Sequence, residues 1–170
     1  MEISTLQQLF ESHKNISAIV DVLSKQDNIH VKGLQGSASS MLAISLLHKT
    51  KNSFLYILED EESAGYFYHD LVQLTGAANI LYFPSAYKRA IKYWQIDAAN
   101  EILRTEVLSH LQSNEQIIIV SYPEALAEKV VSKETLEENT LKITVNEKID
   151  TNFVSEVLDS YGFEYTDYVY

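Results

Sequence analysis

Eight residues, Gly33-Leu34-Gln35-Gly36-Ser37-Ala38-Ser39-Ser40, carry the spacing of a phosphate-cradling loop, G-x-x-x-x-G-K-[ST], with two substitutions. Ala38 stands where the second glycine belongs, and Ser39 where the lysine belongs. Gly33 and Ser40 keep the first and last positions, and Gly36 adds a small residue at which the backbone can turn. In a working loop the backbone N–H groups hold the phosphates, the lysine neutralises their charge and the final hydroxyl binds Mg²⁺. Here the loop has no positive side chain of its own, because Lys32 precedes it. Two readings follow. One is the vestige of a nucleotide site; the other is a plain strand-to-helix turn with Ser37 or Ser39 as the helix cap. Free N–H groups at the helix start would hold a phosphate only weakly.

Hydrolysis in such folds also needs a carboxylate at the end of a later strand. The apolar run 117–120 leads into Ser121-Tyr122-Pro123, and no acid appears before Glu124. The acidic cluster Glu59-Asp60-Glu61-Glu62 does follow a strand-like run. It also precedes a helix-like one, where negative charge complements the helix dipole, so it reads as a solvated helix start. The five histidines (13, 30, 48, 69 and 110) have no metal-ligand spacing. Neither a G-x-S-x-G elbow nor a G-x-G-x-x-G fingerprint occurs. No catalytic residue and no metal ligand is expected.

A net charge of −11, from 13 basic and 24 acidic residues, opposes contact with phosphate backbones. One basic-aromatic stretch, residues 87–94 (Tyr-Lys-Arg-Ala-Ile-Lys-Tyr-Trp), has the interleaving that suits single-stranded nucleic acid. Against the overall charge it reads better as cover for apolar surface, or as a patch for a protein partner. At 46% apolar and 22% charged the chain reads as globular. It has no cysteine, no secretory leader pattern and no membrane-length apolar run, which fits a cytoplasmic protein.

The elements that would position the loop follow from periodicity. Helices are expected over residues 4–13 and 16–25, then a short β-branched strand over 29–32 and a helix over 39–50. Residues 54–58 form a continuous apolar run, the pattern of a strand buried on both faces. A helix over 63–74 closes at Gly76. A strand over 80–83 stops at Pro84, Asp97 caps a helix to residue 111, and a strand covers 117–120. This alternation predicts an α/β fold with a parallel sheet, occupying residues 1–130. From about residue 131 the pattern changes. Ser132 to Thr135 reads as a helix start, Leu-Lys-Ile-Thr-Val-Asn (141–146) as a strand, and 151–161 as a helix with Phe153, Val154, Val157 and Leu158 inward. Gly162 ends it, and residues 165–170 read as a strand with an open edge prone to self-association. Residues 131–170 thus look like the start of a small α+β domain, cut short.

Five segments occur in an order that resembles a known family: GLQGSASSMLAISLL, FLYILEDEESAGYFYHDL, ILYFPSAYKRAIKYWQIDAANEILRTEVLSHL, IIIVSYPEALAEKVV and FVSEVLDSYGFEYTDYVY. Together they are similar to the amino-terminal region of bacterial transcription-repair coupling factors, the Mfd family. The resemblance implies a P-loop-NTPase-like domain, similar to the first domain of the excision-repair protein UvrB, with a decayed phosphate loop. In this chain the vestigial loop would be Gly33, Gly36, Ser37, Ala38, Ser39 and Ser40, with Gly33 and Ser40 retained and Ala38 and Ser39 replacing the glycine and lysine. It also implies a small following domain that recruits the UvrA protein. UvrB's long DNA-gripping hairpin has no counterpart, since residues 84–96 leave room only for a short connection. The family's arginine-glycine hairpin, which contacts UvrA, would lie beyond Tyr170, so no partner-binding residue can be assigned. RNA polymerase, double-stranded DNA, and the ATP and magnesium of the translocase motor would belong to other parts of such a protein. The chain itself is expected to be a non-catalytic docking and regulatory platform in DNA repair, without cofactor, nucleic acid or membrane. The alternative is a nucleotide-binding enzyme or switch in which Lys32 or Lys88 supplies the missing charge.

Overall fold

The computed structural model describes residues 3–25, 28–76, 79–87, 97–113, 115–163 and 165–166. The chain divides into two units, Met1–Val130 and Val131–Tyr170. In the first, α1 (Ile3–Glu11) and α2 (Lys14–Leu23) precede α3 (Ala38–Lys49). Then β1 (Phe54–Ile57), α4 (Glu61–Thr75), β2 (Ile80–Tyr82), α5 (Ala98–His110), β3 (Ile118–Ser121) and the short α6 (Pro123–Leu126) follow. The fold is mixed α/β, and the three strands form one parallel sheet in the order β1-β3-β2.

Local chemistry sets most of the boundaries. The Asp60 carboxylate accepts from Ser63 N at 2.8 Å and caps α4, and Glu61 and Glu62 fill its first turn. The acidic cluster therefore starts a helix, as its placement led us to expect. Asp97 caps α5 in the same way, accepting from Ala99 N at 3.0 Å. Gly76, at φ 69°, ends α4 in a conformation that costs a β-carbon side chain dearly.

Register and rings show which helix covers which face. Phe54, Leu55 and Tyr56 lie opposite Ile118, Ile119 and Val120, and Ile80, Leu81 and Tyr82 lie opposite the same three. The Tyr56 ring sits 5.2 Å from Phe67 of α4, and Tyr82 sits 5.3 Å from Tyr68. So α4 covers the face that carries Phe54, Tyr56, Val120 and Tyr82. On the other face, α5 packs against β2. The core joins Ala43, Ile44 and Leu47 of α3 to Phe67 and Leu71 of α4 and to the strands. A smaller cluster of Ile16, Leu42 and Leu46 seats α2 on α3. The Gln116 side-chain amide donates to Leu47 O at 2.6 Å and Thr50 O at 2.8 Å, satisfying carbonyls at the end of α3 from the start of β3.

Two expectations for this unit are corrected. Residues 29–32 form no strand. They find no ladder partner among the described residues, and β-branched residues without one are not a strand, whatever their propensity. Nor is β1 buried on both faces. It lies at the sheet edge, and Leu55 and Ile57 are 51% and 57% exposed, because α5 packs over β2 instead.

In the second unit, Ser132 caps α7 (Lys133–Glu138), accepting from Thr135 N, and α8 runs Thr151–Ser160 before Gly162 at φ 80°. No residue of α8 is buried, so Phe153 and its neighbours do not point into a core as expected. Residues 141–146 are not a strand either: Val145 is 88% exposed and has no ladder partner among the described residues. Tyr165 and Thr166 lie in neither helix nor strand, and the rest of the expected last strand falls outside the described residues. Among the described residues, no helix is long and apolar enough to cross a membrane.

Candidate functional site

The glycine loop keeps part of the backbone geometry that its sequence suggests. Gly33 and Gly36 both take positive φ, 86° and 54°, the region in which a side chain is strained. The loop delivers the chain into the first turn of α3. Ser37 occupies the cap position, but its side chain makes no capping bond. Ser39 turns its hydroxyl back to Gly36 O at 3.3 Å, so neither serine caps the helix through its side chain as expected. Ser40, at the position of a magnesium-binding hydroxyl, is 1% exposed and donates to the Asp70 carboxylate of α4 at 3.2 Å. That hydroxyl ties α3 to α4. Residues 33–37 are exposed, as is Lys32.

Beside the loop lies a cavity of about 520 Å³. Leu6 and Phe10 of α1, Ile16 of α2 and Val31 and Leu34 of the loop segment form its walls, and Lys32 and His13 are its titratable groups. His13 is already engaged, accepting from Asn15 N as the cap of α2. Such a cavity offers apolar surface and a single amine. It suits aliphatic or aromatic side chains of a partner far better than a triphosphate, whose charge would lack counter-charges there.

A second polar constellation sits where β2 and β3 end. In open α/β sheets, ligands settle at the carboxyl ends of the strands. Here that ground is occupied by the protein's own groups. Arg104 of α5, 6% exposed, donates from Nη1 to Pro84 O at 2.7 Å and Ala125 O at 3.1 Å. The same nitrogen lies 3.2 Å from Glu128 Oε2, and the guanidinium carbon stands 4.1 Å from the Phe83 ring centroid. Glu128 in turn accepts from Ser85 Oγ and from Ala86 N. Tyr122, 1% exposed, accepts from Ser85 N at 2.9 Å, and Asn100 donates to Ser85 O at 2.8 Å. The cluster pins the chain after β2 to the chain after β3. Sequence reasoning missed it, although Arg104 three residues before Val107 on the core side of α5 was a signal.

The remaining expected groups stay apart. His48 pairs with Glu11 at 2.7 Å and His110 with Glu115 at 3.3 Å, while His30 and His69 are exposed. Among the described residues, no group of three or more His, Cys, Asp or Glu could hold a metal ion. Of the basic-aromatic stretch only Tyr87 is described; residues 88–94, Lys88 among them, lie outside the described residues. No family model, curated protein or solved structure matches the chain.

Proposed function

We propose that this chain is the UvrB-like amino-terminal module of a transcription-repair coupling factor, acting as a docking and regulatory platform rather than a catalyst. Its first unit is a decayed P-loop-NTPase-like domain. Its role is to help bring the UvrA excision-repair protein to stalled RNA polymerase. The reading rests on the ordered segments quoted above and on one observation. A turn with phosphate-loop spacing carries Ser39 in place of the lysine and borders an apolar cavity lined by Leu6, Phe10, Ile16 and Val31. A phosphate site needs converging cations, whereas a protein partner needs apolar anchor points.

Calorimetric titration with ATP and magnesium tests the non-catalytic half, and capture of purified UvrA by the chain joined to the family's arginine-glycine hairpin tests the partner. The expected results are no heat of binding below the millimolar range and a saturable complex with UvrA. Micromolar nucleotide affinity would favour an unconventional nucleotide switch that uses Lys32, and a failure to bind UvrA would remove the repair assignment.

A further inference from the structure

The edge of the sheet carries an inference independent of the coupling-factor reading. Among the described residues, β1 pairs with β3 on one side only. Phe54 N donates to Ile117 O and Leu58 N to Ser121 O, each at 2.9 Å. Backbone groups alternate along a strand, so the N–H and C=O of Leu55 and Ile57 point to the open edge. The side chains of the same two residues stand half out of the sheet, at 51% and 57% exposure. Their ladder neighbours Ile119 and Leu81 on the same face are 8% and 6% exposed. Exposed edges are ordinarily guarded by a proline, an inward charge or a bulge, and Phe-Leu-Tyr-Ile contains no proline and no charge.

We propose that two copies of this chain associate edge to edge through antiparallel pairing of their β1 strands, turning two three-stranded sheets into one of six. The charges that flank β1 select both the partner and the direction. Lys49 and Lys51 precede the strand, and Glu59, Asp60, Glu61 and Glu62 follow it. Parallel self-pairing would set acid against acid and base against base. Antiparallel pairing with Leu55 opposite Ile57 of the second copy places the twofold axis at Tyr56. The register holds only along the strand, since Glu61 already opens α4, but it brings the Lys51 end of one copy beside the Glu59 end of the other, twice over by symmetry. Both Lys51 and Glu59 are exposed. Leu55 and Ile57 of the two copies then form one apolar row on the face away from α4, and the four outward backbone groups of each strand gain partners.

The test is sedimentation velocity of the full chain from micromolar to millimolar concentration, together with three variants. The wild type is expected to show a reversible monomer–dimer equilibrium. Ile57→Lys places an edge-guarding charge on a side chain that is already exposed, and is expected to give a monomer with an unchanged circular dichroism spectrum. Lys51→Glu is expected to weaken the dimer several-fold, and adding Glu59→Lys to restore it. A wild-type monomer at every concentration overturns the proposal, and so does a dimer that survives Ile57→Lys. A dimer weakened by Lys51→Glu that the second exchange fails to restore overturns the antiparallel register. A monomer whose Leu55 and Ile57 amides are nonetheless protected from hydrogen exchange also overturns it, since some other segment then covers the edge.

Discussion

The glycine loop and the Arg104 cluster are opposite kinds of polar site within one unit. The loop has the spacing of a ligand site but is exposed, and carries no cation between Gly33 and Ser40. The cluster has no sequence motif, yet it buries a guanidinium beside a half-buried carboxylate and engages Nη1 and both carboxylate oxygens internally, while Nη2 is buried with no hydrogen-bond partner among the described residues. Shape without charge, and charge sealed away from solvent, both fail to make a phosphate pocket. The contrast teaches that a polar group's value depends on what already satisfies it. Arg104 would be a strong anion ligand if Pro84, Ala125 and Glu128 did not surround it. In their company it is a bolt holding two loops.

The sharpest break of that comparison is Arg104→Ala. It leaves the Glu128 carboxylate, whose side chain is 17% exposed, with the Ser85 and Ala86 hydrogen bonds but without its cationic partner. Loss of one partner of a buried pair costs about 3–5 kcal/mol, and urea unfolding should register a shift of that size. The double change Arg104→Met with Glu128→Gln should recover much of it, because an apolar replacement removes both desolvation costs together. If Arg104→Ala unfolds with the wild-type midpoint, the cluster is not the bolt that its geometry describes.

A smaller effect belongs to the loop. Gly33→Ala forces a β-carbon into φ 86°, which should cost about 1–2 kcal/mol in the same experiment. Space is not the reason, since a β-carbon there meets nothing within 4 Å. The cost is conformational alone, so a change well below this range would mean that the loop relaxes freely and holds no defined shape. Ser40→Ala should cost less again, about 0.5–1.5 kcal/mol for one hydrogen bond to Asp70. A neutral outcome would show that the Ser40–Asp70 contact does not tie α3 to α4.

How much of this was legible beforehand follows the same division between local and distant partners. Caps are local, so Asp60, Asp97 and Ser132 could be read as helix starts directly from neighbouring residues. The glycine loop was legible for the same reason. Strands need partners far along the chain, and there the reading failed. Ile29-His30-Val31-Lys32 and Leu141-Lys142-Ile143-Thr144-Val145-Asn146 both have strand composition, and neither finds a ladder. Phe54 to Ile57 was correctly read as a strand but wrongly expected to be buried on both faces. An apolar run specifies extended backbone, not which neighbour covers it. Arg104 was invisible because its acceptors Pro84, Ala125 and Glu128 lie about twenty residues away on either side.

The smallest effect at neutral pH, and the one that probes the α4-covered face, concerns Tyr56 and Tyr82. Burial pushes both hydroxyls up from 10.0 to about 12, and for Tyr82 the neighbouring Tyr122 and Glu61 add to it. A raised folded-state value means that the folded protein favours the neutral phenol. The associated stability is complete below pH 10.0 and is lost as pH climbs towards 12, because the unfolded chain ionises first. Changing both residues to phenylalanine should therefore leave neutral-pH stability nearly intact and flatten the alkaline decline within that window. Tyrosinate absorbance during an alkaline titration should also lose its latest-titrating component in the double variant. Should these two hydroxyls ionise with the exposed tyrosines instead, α4 does not seal this face of the sheet, and the ring contacts of Tyr56 with Phe67 and of Tyr82 with Tyr68 are open to solvent.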